Sequence, residues 1–235
     1  DATVRALAAQ GLGEVASDEA GRLLREALAD PQAEVRAAAA AALAGRGDAA
    51  THEALLRATE DKSGVVRLRA AAALAQQART EGFGLLMRFL KDRDDSVRMQ
   101  AAEALGHLGS SEATPALKPL LQDANPYVQV YAAEALARLG DPLGRESLQK
   151  TLQHPSRSVA MYAAEAFSNL GDPAGARRLV EALAPGQELS ARLYAAWILS
   201  RLGDLRGQPV LEELLRSADE QVRMQATWTL GQMHG

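Results

Sequence analysis

Val97-Arg98-Met99-Gln100-Ala101-Ala102-Glu103-Ala104-Leu105-Gly106-His107-Leu108-Gly109 is the stretch whose reading decides the fold. Val97, Ala101, Ala102 and Leu105 recur at spacings of four and three, so they line one side of a helix. Alanines in the middle of that stripe let a neighbouring helix approach closely, while Val and Leu fill the space at either end. Gly109 then supplies the left-handed conformation that closes a helix, and Gly47, Gly140, Gly171 and Gly203 stand at the same place in other copies. The Val position returns as Val4, Val35, Val66, Val97, Val128 and Val159, each 31 after the last. One extra residue shifts the series to Ala191, and Val222 completes it. A fixed period of about 20–50 residues marks a stack of supersecondary units.

Each unit needs a second helix to cover that stripe. Residues 81–91 carry Leu85, Leu86, Phe89 and Leu90 at helical spacing and predict the first helix of a pair, linked through Asp94, Asp95 and Ser96 to the second. Asp141-Pro142 and Asp172-Pro173 read as N-cap followed by proline at N1, and Asp204 repeats the cap alone. A polar series accompanies the apolar one. Asp30, Asp61, Asp92 and Asp123 lie five before the Val anchor, and Arg36, Arg67 and Arg98 lie one after it. In stacked copies this spacing predicts a ladder of ion pairs and helix-terminus bonds. The ladder lapses after Asp123, where Gln129 and Ala160 replace Arg and His154, Gly186 and Ser217 replace Asp.

Composition agrees. The 235 residues include only 4 % aromatics and no cysteine, and Ala and Leu, both strong helix formers, dominate. An all-α chain follows. A net charge of −4 and a pI near 5.7 argue against a chain-wide attraction to nucleic acid or anionic lipid. No apolar run approaches a membrane span, and no signal-peptide core opens the chain. Without cysteine there are no disulfides, Cys-ligated metal sites or Cys nucleophiles, and compartment stays open; a cytoplasmic setting is the working expectation.

Val-Arg-x-x-Ala-Ala-x-x-Leu-x-x-x-Gly-Asp-Pro, with an Asp five before the Val, resembles the HEAT repeat. More specifically it is similar to the short bacterial and archaeal kind also seen in phycobilin lyase subunits, and the resemblance runs from Val4 to His234. It implies an α-solenoid: a right-handed superhelix with first helices on the convex side and second helices lining the concave side. One lone second helix (1–16) would precede seven pairs, at 17–47, 48–78, 79–109, 110–140, 141–171, 172–203 and 204–235. An array opening in mid-repeat exposes an apolar face, so a further segment before Asp1, in a longer chain or complex, is expected.

In such a stack function lies in what varies. If the positions 0, +4, +5 and +8 are buried, then +2, +3, +6 and +10 point toward the groove. The second copy is bald there, with Ala37, Ala38, Ala41 and Gly45, and the third has Leu68, Arg69, Ala72 and Gln76. Later copies carry Met99, Gln100, Glu103 and His107; Val130, Tyr131, Glu134 and Arg138; and Met161, Tyr162, Glu165 and Asn169. The last two carry Leu193, Tyr194, Trp197 and Arg201, then Met224, Gln225, Trp228 and Gln232. Stacking brings like positions to about 10 Å. The expectation is an aromatic row of Tyr131, Tyr162, Tyr194, Trp197 and Trp228 beside an acidic row of Glu103, Glu134 and Glu165, edged by Met99, Met161 and Met224. Trp, Tyr and Met are enriched where proteins bind one another. The competing structural account is that the tyrosines pack on the next repeat and that Glu134–Arg138 and Glu103–His107 are intrahelical i,i+4 pairs.

Other chemistry is poorly supported. His52-Glu53 is similar to the iron-binding His-Glu pairs of the HEAT-repeat hydroxylase acting on deoxyhypusine, but His107, His154 and His234 lack an adjacent Glu, so no metal site is assigned. Gly82-x-Gly84 reads as a turn at a helix start, not a phosphate loop. Epoxyqueuosine reductase-like chains need cysteines. A glycosylase-like DNA groove would want a basic lining, whereas three glutamates lie among Arg69, Arg138 and Arg201. The extra residue falls within Ala184-Pro185-Gly186-Gln187, which should end a first helix and lengthen the link.

Two functional readings result, neither with a catalytic residue or cofactor assigned. In the first, a non-catalytic scaffold binds a protein segment or peptide, one with basic groups, in the groove of its C-terminal half. Met99, Glu103, Tyr131, Glu134, Arg138, Met161, Tyr162, Glu165, Tyr194, Trp197, Arg201, Met224 and Trp228 would form that surface. In the second, the chain is a subunit of a phycobilin lyase-like enzyme that holds a tetrapyrrole in the same groove.

Overall fold

The computed structural model describes residues 1–231; Gln232 and His234 lie outside the described residues. The chain forms two compact units, Asp1–Val128 and Gln129–Gly235. Every regular element among the described residues is helical, in the antiparallel pairs of an α-solenoid.

The first unit opens with α1 (Ala2–Gly13), followed by the pairs α2 (Asp18–Ala27) with α3 (Ala33–Ala42), α4 (Ala49–Ala58) with α5 (Gly64–Gln76), and α6 (Thr80–Phe89) with α7 (Asp95–Leu108). A short α8 (Thr114–Leu117), flanked by 3₁₀ turns, then leads to α9 (Pro126–Arg138), which begins in the first unit and continues into the second. The second unit adds α10 (Pro142–Thr151) with α11 (Arg157–Asn169), α12 (Pro173–Ala182) with α13 (Leu189–Arg201), and α14 (Gln208–Leu214) with α15 (Glu220–Gly231).

The apolar stripe is the core. Val35, Val66 and Val97 are at most 2 % exposed, and Leu43, Leu74 and Leu105, eight residues on, are fully buried. In the second unit Val159, Ala163, Ala164 and Phe167 repeat the arrangement, as do Ala195, Ala196 and Leu199. Val4 is the exception at 62 % exposed, with Leu7 beside it at 60 %, because α1 packs on α2 and α3 only through its other side. Position +2 departs from expectation. Leu68, Val130, Met161 and Leu193 are buried there, whereas Ala6, Ala37, Met99 and Met224 are not, so this position turns inward in only half of the copies. The reason is geometric: an inner helix touches its own first helix and also the second helices on either side, as α3 and α5 do.

At one repeat position first helices approach second helices so closely that four copies leave no room for a side chain. A Cβ on Gly82 would lie 2.3 Å from the backbone nitrogen of Ala75, and one on Gly144 would lie 2.4 Å from that of Ala137. Gly175 and Gly207 hold the same place in later copies. Gly82 and Gly84 therefore belong to helix α6 and do not form the turn expected from the sequence. The left-handed closures at Gly109, Gly140, Gly171 and Gly203 are present. Gly47 is not among them, since α3 ends early in a 3₁₀ turn at Leu43–Gly45, while in the third copy Ala78 takes φ +57°. Asp141, Asp172 and Asp204 accept hydrogen bonds from Leu143, Ala174 and Arg206 backbone N–H groups as N-caps. The Pro185-Gly186 insertion lies in the link after α12, with Gly186 at φ +88°.

The polar ladder ties successive repeats of the first unit. Arg36 donates to both Asp61 oxygens at 2.7 and 2.9 Å, and its remaining nitrogen donates to the carbonyls of Asp30 and Pro31. Arg5 grips Asp30 and Arg98 grips Asp123 in the same forked manner, and Arg67 donates to the Asp61 carbonyl. The Arg36 guanidinium holds the Asp61 carboxyl below the usual carboxylate range despite burial. In the second unit Arg192 and Arg223 resume part of this role at the same repeat position. Arg192 donates to the Leu183 carbonyl and to Glu213, and Arg223 donates to the Ser217 and Ala218 carbonyls.

Candidate functional site

In the second unit the positions +3, +6 and +10 of consecutive inner helices gather into one cluster. Helix α11 supplies Tyr162, Glu165 and Asn169, and α13 supplies Tyr194, Trp197 and Arg201. The Tyr162 and Tyr194 ring centroids are 5.5 Å apart with planes inclined at 32°, and Tyr194 and Trp197 are 5.8 Å apart at 44°. These are tilted aromatic contacts within the favourable range, much closer than the helix spacing alone would place them. Arg201, one turn beyond Trp197, lays its guanidinium carbon 4.7 Å from the indole centroid, a cation–π contact.

Glu165 organises these groups. Its Oε2 accepts from the Tyr194 hydroxyl at 2.5 Å and its Oε1 accepts from Arg201 at 3.0 Å. Its side chain is only 16 % exposed, whereas that of Arg201 is 51 % exposed. Burial pushes the Glu165 carboxyl above its ordinary range, with the Tyr194 bond and the Arg201 charge working against the shift and Glu134 adding to it. Burial likewise raises the Tyr194 phenol, and the adjacent Glu165 charge raises it further, so it is a hydrogen-bond donor at all physiological pH values. Glu134 on α9 has a similar setting: its Oε1 accepts from Arg138 at 2.7 Å and from Asn169 at 3.3 Å.

The sequence-derived surface is thus partly rearranged. Tyr131, Tyr162, Tyr194 and Trp197 are half-buried on the inner-helix face, and Trp228 and Met224 on α15 are each 61 % exposed. Trp228 makes no ring contact among the described residues. Met161 is 3 % exposed and belongs to the core, as do its +2 equivalents Leu68, Val130 and Leu193. Met99 is half-buried and Glu103 exposed on α7 of the first unit. The glutamates do not form a free acidic row. Glu134 and Glu165 are occupied by Arg138, Asn169, Tyr194 and Arg201, and the outward charge of the cluster is the Arg201 guanidinium. Of the expected row, Glu103 alone keeps an exposed carboxylate without a side-chain partner among the described residues. Asn169, which the repeat pattern places at a groove-facing +10 position but which is not in the expected binding set, joins the cluster through Glu134.

Chemically the cluster offers aromatic faces, a fixed cation and two satisfied carboxylates. Among the described residues no group of three or more His, Asp or Glu side chains is placed to hold a metal ion, and no helix is long and apolar enough to cross a membrane.

Comparison with known proteins places these features in a family. The HEAT-repeat profile matches residues 1–75, 52–125 and 114–190, and the PBS lyase HEAT-like repeat matches residues 191–217. No curated protein sequence matches the chain. Among solved structures it is similar to the complex of CpcE and CpcF of phycocyanin lyase from Nostoc sp. PCC7120. That match has 25 % identity, covers 92 % of this chain and 88 % of that one, and has a TM-score of 0.55. It is also similar in fold to E. coli YibA, at 22 % identity, 95 % and 84 % coverage and a TM-score of 0.53. With inner helices, closures and ladder recurring at the period of the motif, and the profile matched along most of its length, this chain belongs to the HEAT-repeat family.

Proposed function

We propose that the chain is a non-catalytic scaffold that holds a segment of a partner protein on the inner-helix face of its second unit. The observation that carries this reading is the ring cluster Tyr162–Tyr194–Trp197, locked from behind by Glu165 and capped by Arg201. Pre-organised aromatic groups give large contact area at little entropic cost, which is the character of binding hot spots. Trp228 and Met224 extend the apolar area on α15. The partner would lay apolar side chains on the rings and present hydrogen-bond acceptors or a carboxylate to Arg201. The test compares proteins co-purifying with the intact chain and with the Trp197→Ala/Trp228→Ala double variant. Loss of a specific partner at unchanged helical content supports the reading; retention of every partner by the folded variant refutes it. Each tryptophan should contribute about 1–4 kcal/mol to binding.

A second reading is supported by the likeness to the phycocyanin lyase complex. In it the chain is one subunit of a lyase-like pair, and the same rings hold a linear tetrapyrrole, with the Tyr194 hydroxyl and Arg201 beside its polar edge. Mixing the protein with a bilin and recording the visible absorption separates the two: a shifted spectrum that Trp197→Ala abolishes favours the pigment, and an unshifted one favours the protein segment.

A further inference from the structure

Helices α5 and α7 of the first unit leave a second polar cleft, of about 380 Å³, that the reading above does not use. It exists because Ala72 stands at the +6 position, where later copies carry Glu or Trp, so nothing fills the space in front of Leu68. Arg69 and Gln76 enter it from α5, and Gln100, Glu103 and His107 from α7. In the second unit, side chains at these repeat positions are bonded to one another, as Glu165 is to Tyr194 and Arg201. Here they are not. The side chains of Arg69, Gln76, Gln100, Glu103 and His107 have no hydrogen-bond or ion-pair partner among the described residues. Gln100 Oε1 is in addition buried, an acceptor shut away from water with no donor. Leaving such a group unmatched is costly, and convergent unmatched polar groups around a small cleft are the mark of a ligand site.

The charges specify the ligand. Arg69 and Glu103 line one cleft and do not pair with each other, so it presents one cation and one carboxylate. A simple cation would answer Glu103 but oppose Arg69, and a simple anion would do the reverse. A zwitterion answers both. We propose that this cleft binds a free α-amino acid, its ammonium donating to Glu103, its carboxylate accepting from Arg69, and its side chain lying over Ala72. The volume lies within the range of small-molecule pockets, at about 300–1,000 Å³, and near its lower end.

The test is isothermal titration of the full chain with L-leucine, L-leucinamide, which lacks the carboxylate, and N-acetyl-L-leucine, which lacks the ammonium. Leucine should bind, and each analogue should bind at least about 10-fold more weakly, the worth of one charge-assisted contact. Arg69→Gln and Glu103→Gln alter exposed, unpartnered side chains, so both variants should fold as the parent does and lose leucine binding by at least about 10-fold each. Ala72→Leu, which fills the cleft, should abolish it. Equal affinity for leucine and either analogue overturns the proposal. So does full affinity in the folded Arg69→Gln or Glu103→Gln variant, or no heat of binding for leucine up to about 10 mM.

Discussion

Gly82 and Gly84 lie two residues apart in one helix, and the same substitution should have opposite effects at the two. At Gly82 the added methyl carbon would sit 2.3 Å from the Ala75 nitrogen, 2.6 Å from the Ala71 carbonyl oxygen and 2.7 Å from the Leu74 Cβ. Ordinary contact begins at 3.4 Å, and two of the three obstacles are backbone, so α6 must retreat from α5 by about 1 Å. Overpacking of that kind costs about 1–3 kcal/mol, while the better helix propensity of Ala returns about 0.5–1, for a net loss of up to about 2.5 kcal/mol. At Gly84 nothing lies within 4 Å, so only the propensity gain remains, about 0.5–1 kcal/mol of stabilisation. Urea unfolding followed by circular dichroism, with the slope m held in common, measures both. A Gly82→Ala protein as stable as Gly84→Ala would refute the close-approach argument for this helix pair.

Further expectations concern the ladder, the helix closures and the ring cluster. Arg36, 5 % exposed and forked onto Asp61, should cost about 3–5 kcal/mol when changed to Ala, because Asp61 is left half-buried and unpaired. Arg5→Ala, with a side chain 46 % exposed, should cost clearly less than Arg36→Ala by the same unfolding measurement. Ala78→Gly should stabilise by about 0.5–1 kcal/mol, since an L-residue at φ +57° is strained by more than glycine's extra unfolded-state entropy. Burial raises the Glu165 carboxyl, so the folded chain binds more protons than the unfolded one between the unfolded and folded values, and stability falls as pH rises through that window. Glu165→Gln removes this titration. Its stability relative to the parent should therefore improve as pH rises above the ordinary carboxylate range, and a flat or worsening difference would contradict the assigned desolvation.

How much of this was legible in the sequence varies with the kind of interaction. The Val, Ala, Ala, Leu spacing located the inner helices because one buried stripe imposes one period, and Asp141-Pro142 and Gly109 marked ends because those residue types have local conformational reasons to sit there. Ala78 gave no such sign, since its left-handed φ is imposed by the repeat and not by its own chemistry. Met161 was misplaced because a single stripe describes one neighbour, whereas an inner helix has three. The signal was there in the apolar series Leu68, Val130, Met161 and Leu193. The small residues Ala20, Thr51, Gly82, Ala113, Gly144, Gly175 and Gly207 likewise hold one repeat position and foretell the tight helix contact. At the ring cluster the residue types and the face were readable. The engagement of Glu165 by Tyr194 and Arg201 was not, because long side chains reach across repeats in directions that spacing alone does not fix.

Both tryptophans, Trp197 and Trp228, belong to the second unit, and the first has none. Indole emission is therefore a built-in reporter on one half of the molecule, with one fluorophore sheltered beside tyrosines and a guanidinium and the other open to water. A melt followed by that light tracks the second unit alone, while far-ultraviolet ellipticity sums over both. Coincident curves would mean that the two halves lose their structure as a single cooperative block, and separated curves would give the order in which they come apart.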